Sequence, residues 1–121
     1  MDEVAVKKCL DYNLDEIRMK IEQGFELLGG IDRYVKKGEK VLLKPNSLTS
    51  GPVFTGINTH PIFLKAVIQV IKKQTDKIFV GDSPAGNGPF SNASRKNGML
   101  EAIKEENVVL VDLQGETHEI F

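Results

Sequence analysis

The chain has a single cysteine, two histidines and almost no excess charge in its 121 residues. A lone Cys9 excludes an intrachain disulfide and any cysteine cluster for zinc or an iron–sulfur centre. Its own expected place is as a small buried side chain at the end of a first strand. A formal net charge of -1 removes the electrostatic footprint of a general nucleic-acid binder. The longest candidate for a membrane span, residues 62–71, is far too short and is interrupted by Lys65 and Gln69. Asp2 and Glu3 precede only a short apolar run, so no signal peptide is expected and the cytoplasm is the expected location. Neither G-x-G-x-x-G nor G-K-[ST] occurs, which excludes a dinucleotide fingerprint and a P-loop. Ser47, Ser50 and Ser83 have no paired His and Asp at a recognisable spacing, so nothing points to a serine hydrolase.

What is present suits one globular domain over residues 1–121. A chain of this length can bury roughly two thirds of its unfolded surface, and an apolar share of 40% with 27% charged residues is close to a soluble globular average. Residues 3–7 alternate through Val4 and Val6 and are read as a first strand. Asn13 then caps a helix with Asp15 and Glu16 in its first turn, where the dipole favours negative charge. Leu14, Ile17, Ile21, Phe25 and Leu28 share one face of that helix, and Gly29-Gly30 stops it. A second strand covers residues 40–44, with Val41, Leu42 and Leu43 consecutive as in a strand covered on both faces. Thr59 is expected to cap a second helix, with Pro61 in its first turn, running to about Lys73.

The third strand, at 78–80, runs into the loop GDSPAGNG, and Ser91 is expected to cap a short helix closed by Asn97-Gly98. Residues 99–106 form another helical turn set, and 108–111 a fourth strand. The order β-α-β-α-β-α-β predicts an α/β fold: a three-layer, mostly parallel four-stranded sheet, Rossmann-like but without the fingerprint. Residues 114–121 are expected to be an edge strand or a connection to something removed.

In a parallel sheet the strand C-termini gather on one edge, where open α/β folds bind ligands. Lys44, Asn46, Thr59, His60, Asp82, Ser83 and Gly86 are therefore the candidate ligand-binding residues. Lys44 offers a point charge to a phosphate or carboxylate, and loop and helix N–H groups offer directed donors. His60 at a helix N-terminus is favoured as the neutral imidazole, able to ligate a metal or accept a proton. Asp82 can bind a cation, hold a hydroxyl or orient Lys44, and is equally a turn former. The polar segment 46–58 is longer than usual for its place, as lids and binding loops are, and its polarity predicts a mobile loop.

Several of these residues lie in motifs that resemble the prokaryotic domain of unknown function 362 family: VLLKPNS at 41–47, NTHP at 58–61, FVGDSPAG at 79–86, and a later NGM followed by a strand ending VDL. The resemblance covers nearly the whole chain in order. It implies a site shared with the family without naming a substrate. Members are usually much longer, so the chain looks like an N-terminal portion. Many carry ferredoxin-type iron–sulfur motifs elsewhere; those cysteines are absent here, so no cluster is expected in this chain and its cofactors stay unknown.

The expected function is a ligand-binding α/β module for a small anionic metabolite or a metal–anion complex. The alternative is a non-catalytic interaction module that docks a partner or a missing C-terminal half through its second helix, a homo-oligomer or that C-terminal half being the expected associations. Leu64 and Ile68 on the second helix are the row expected to be free for such a partner, because two apolar rows cannot both face the sheet.

Overall fold

The structure is a computed structural model that describes residues 2–84 and 88–113. The edge strand or connection expected at 114–121 lies outside the described residues. Asn13 caps α1 (Leu14–Leu27) as its sequence requires, its side chain accepting from the Glu16 N–H at 3.0 Å. Gly29 and Gly30 end the helix in left-handed backbone, φ 96° and 95°. After a single 3-10 turn (Ile31–Arg33), the chain forms β1 (Val41–Leu43), α2 (Pro61–Ile71), β2 (Ile78–Asp82), α3 (Phe90–Asn97), α4 (Met99–Glu105) and β3 (Val109–Asp112). No helix among the described residues is long and apolar enough to cross a membrane.

Among the described residues the sheet has three strands where four are expected, all parallel and in the sequential order β1-β2-β3. Both crossovers step the same way, so right-handed connections put α2 and the α3–α4 pair on one face. Val41, Leu43, Ile78, Val80 and Leu110 face those helices and pack with Leu64, Ile68 and Ile103 in one core. On the opposite face the register aligns Leu42 with Phe79 and Val109, and Leu42 and Val109 are 37% and 53% exposed. The third layer expected on that face is not found among the described residues, and Leu42 is not covered on both sides as its apolar neighbours suggest.

Residues 3–7 form no strand. They carry no regular structure, and Val4 and Val6 are 85% and 83% exposed. Alternation supplies strand propensity, but a strand exists only when a neighbour completes its ladder. For the same reason Cys9 is exposed rather than buried.

Most of the wide apolar surface of α2 is covered within the chain, Phe63 excepted at 42% exposure. Leu64 and Ile68, expected to be free for a partner, are 3% and 0% exposed, because the sheet lies beneath α2 while α1 and α4 pack beside it. Its polar strip ties the three helices together. Gln69 accepts from Arg18 of α1 and donates to Glu106 just beyond α4, while Lys65 and Lys73 pair with Glu105 and Glu22. Gly98, at φ 86°, lets the α3–α4 joint approach this helix. A Cβ there would lie 3.0 Å from the Pro61 ring.

A sheet covered on one face responds unequally to truncation. Ile68→Ala is expected to lower unfolding free energy in urea by about 2–5 kcal/mol, and Leu42→Ala by less than about 1 kcal/mol. Equal losses would show that the second face is covered as well.

Candidate functional site

The sheet edge is organised by one buried carboxylate. Asp82 ends β2 and is 4% exposed. Its Oδ1 accepts from Lys44 Nζ at 2.6 Å and its Oδ2 from the Ser47 N–H at 2.8 Å. Burial by itself raises the Asp82 pKa, but the Lys44 ammonium and the N–H groups of Ser47 and Ser83 outweigh it and hold the carboxyl below its ordinary range. The Lys44 side chain remains 63% exposed. A cation is thus braced at its tip by a fixed counter-charge and still reaches solvent.

Asp112, the register partner of Asp82, serves a different helix. Its Oδ1 accepts from the Ser91 N–H at 2.7 Å and its Oδ2 from the Ser91 hydroxyl at 2.9 Å. The cap expected from Ser91 is therefore supplied from β3, and α3 begins two residues earlier than a Ser91 cap requires, at Phe90 after Pro89. A carboxylate at this helix start is the favourable sign for the dipole.

Beside Lys44, a recess of about 200 Å³ lies between the end of β1 and α2, lined by Lys44, Asn46, Thr59 and Phe63 among others. Asn46 and Thr59 form a clasp at its rim. The Asn46 N–H donates to Thr59 Oγ1 at 2.9 Å, the Thr59 N–H donates to the Asn46 carbonyl at 2.8 Å, and Asn46 Nδ2 reaches the Ile57 carbonyl at 2.8 Å. Because its hydroxyl is engaged there, Thr59 does not cap α2; His60 does, its Nδ1 accepting from the Ile62 N–H at 3.1 Å.

The His60 ring stacks on Tyr12 with centroids 3.6 Å apart, and burial lowers its pKa. This agrees with the neutral form expected of it, and leaves only Nε2 outside the cap. A larger recess of about 590 Å³ lies elsewhere, between the N-terminal segment and α1, with Tyr12, Ile17 and Phe63 in its wall. It gathers none of the candidate residues.

The 46–58 segment is more tightly built than its composition suggests. Asn58 exchanges two hydrogen bonds with the Thr49 backbone, at 3.1 and 2.8 Å, and a 3-10 turn (Val53–Thr55) closes on Gly56 in left-handed backbone, φ 68°. Ser47 is fully buried and Asn97 nearly so. Asn97 Nδ2 donates to Ser47 Oγ at 3.0 Å and to the Thr49 carbonyl at 3.3 Å, while its Oδ1 accepts from the Met99 N–H at 3.2 Å. Sequence reasoning takes Asn97 only as a helix stop. The signal for its buried role is its place at i+7 from Phe90 on the inward face of α3, with Ala93 and Ser94 between.

The structure therefore joins Lys44, Asp82 and the Ser83 N–H in one cluster, with Asn46 and Thr59 bordering the adjoining recess. His60 is engaged with Tyr12 and its own helix, and Gly86 lies outside the described residues. Among the described residues no three His, Cys, Asp or Glu side chains gather into a metal-ligand set.

Since the folded Asp82 carboxyl is the stronger acid, its stabilising contribution is present above the unfolded value of about 3.9 and is lost as pH falls through the lower folded value. Asp82→Asn is expected to lower stability at neutral pH by about 1–3 kcal/mol and to flatten the acid limb of the urea midpoint against pH. An acid limb as steep as the parent's would show that Asp82 does not carry it.

The profile of the family described as Domain of unknown function (DUF362) matches residues 41–120, a span that holds Lys44, Ser47, Asp82 and Asn97. The thylakoid-associated protein sll1697 of Synechocystis sp. (strain ATCC 27184 / PCC 6803 / Kazusa) is 31% identical over 112 residues, covering 93% of this chain and 35% of that protein. The chain thus spans about a third of that relative's length. No solved structure gives a significant match. With two thirds of its length inside the family profile, the chain belongs to the DUF362 family.

Proposed function

We propose that the chain is a ligand-binding α/β module that takes a small anion, a phosphate or carboxylate metabolite or its metal complex, at the C-terminal edge of the sheet, with Lys44 as the attracting charge. One observation carries this reading: Lys44 is held at 2.6 Å by the buried Asp82 carboxylate and remains 63% exposed beside a recess. An ammonium group fixed in this way loses less side-chain freedom on binding than a free surface lysine. Asp82 lowers the field of the cation, so affinity depends on the further N–H donors that Lys44 itself retains and on the polar rim of Asn46 and Thr59. A cytoplasmic location belongs to the same proposal. Association with thylakoids is stated of the Synechocystis relative, and cell fractionation decides it for this chain.

A second reading, docking of the remainder of a longer family domain, draws on the relative's length and on the exposed Leu42 and Val109 of the uncovered sheet face. Amide exchange in a longer family member separates the two, since docking protects β1 and β3 without any ligand.

The ligand reading is tested by thermal unfolding with and without inorganic phosphate or succinate. Lys44→Ala leaves Asp82 without its cation, so its melting temperature falls before any ligand is added; the informative quantity is the increment that ligand produces. That increment is expected to vanish in Lys44→Ala and to persist in part in Lys44→Arg. Equal increments in parent and Lys44→Ala would remove Lys44 from the site.

A further inference from the structure

The segment that precedes α1 has a property that the sheet-edge site does not use. Among the described residues, no backbone N–H or carbonyl of residues 2–10 takes part in a backbone hydrogen bond. Over residues 4–9 its side chains nevertheless alternate in surroundings. Ala5, Lys7 and Cys9 help to line the recess against α1, while Val4 and Val6 point into solvent at 85% and 83% exposure. It has the side-chain pattern of a strand and an unused ladder.

Its sequence, Asp-Glu-Val-Ala-Val-Lys-Lys at 2–8, is complementary to itself read backwards. Laid antiparallel on a second copy about Ala5, it brings Asp2 opposite Lys8, Glu3 opposite Lys7 and Val4 opposite Val6, each pair formed twice. Directly opposed residues share a face of an antiparallel pair, and opposite charges or β-branched pairs there are stabilising, whereas like charges are not. A parallel arrangement in register sets acid against acid and base against base. We propose that this segment is a pairing arm that joins two copies of the chain through an antiparallel, two-fold symmetric β-ribbon.

The symmetry fits the commonest form of homodimer, in which one patch meets itself, and main-chain addition of this kind takes its affinity from the ladder. The arms give each strand the neighbour it lacks, with four valines on one face flanked by the two Asp2–Lys8 pairs. The other face, with Ala5 and Lys7, lies toward α1. Seven residues from each copy form a small contact compared with a standard interface of about 800 Å² per partner, so the dimer is concentration-dependent, and its flanking exposed ion pairs make it weaker at high salt.

Sedimentation equilibrium of the full chain over a wide concentration range reads the association, and two arm variants read whether it runs through charge pairing of the arm. The parent is expected to pass from one-chain to two-chain mass. Asp2→Lys/Glu3→Lys gives an all-basic arm and Lys7→Glu/Lys8→Glu an all-acidic one. Each alone is expected to stay monomeric with its melting temperature unchanged, and an equimolar mixture to recover the dimer. A parent that is monomeric at every concentration overturns the proposal, and leaves the arm to a strand of other origin. Variants that dimerise as the parent does place the interface elsewhere and overturn it equally. A mixture that fails to associate refutes charge pairing of the arm.

Discussion

A carboxylate taken almost completely out of water at the end of the central strand is the constraint on which the edge of this domain depends. Asp82 can stay ionised there only because donors converge on it: Lys44 from the end of β1, the Ser47 N–H from the loop that follows, and the Ser83 N–H next to it. Unpaired, such a charge is costly to bury. The pairing therefore fixes where the chain goes after β1. Ser47 is drawn inward, its hydroxyl meets Asn97, and Asn97 in turn holds the α3–α4 joint. One buried charge links the exits of two strands to a helix junction.

The same network explains why the loop after β1 is built rather than slack. Its base is closed by the Asn46–Thr59 clasp and its middle by Asn58 and Thr49, so backbone groups removed from a ladder find partners within the segment. Lys44 reaches solvent, as do Asn46, Leu48 and residues 52–57, with Phe54 at 89% exposure the most open of the loop's large apolar side chains. In this account the proposed binding surface is a set of exposed groups on a hydrogen-bonded polar frame.

The sequence made the helices readable because their signals are local. Asn13 with its acidic first turn, Gly29-Gly30, Pro61 and Gly98 each act within a few residues, and the helices begin or end beside them. Strands are harder. The apolar runs at 78–80 and 108–111 find neighbours, whereas Val4 and Val6 have as good a pattern and find none among the described residues, so propensity alone does not distinguish them. The edge cluster was half legible. A carboxylate and a lysine at strand ends point to one edge in a parallel sheet, but their 2.6 Å contact, the burial of Ser47 and the role of Asn97 depend on residues 35 to 50 positions apart. His60 takes the cap expected of Thr59 because the Asn46 N–H, thirteen residues from Thr59, competes for the threonine hydroxyl.

The central claim is that the braced Lys44 at the sheet edge receives an anion. Titrating inorganic phosphate into isotopically labelled chain, and following lysine side-chain and backbone resonances by NMR, tests it most directly. The account predicts saturable shifts centred on Lys44, Asn46 and Thr59, with the Lys44 side-chain signal moving in step with the backbone. Shifts spread evenly over the surface lysines, or confined to the recess beside Tyr12, would contradict it.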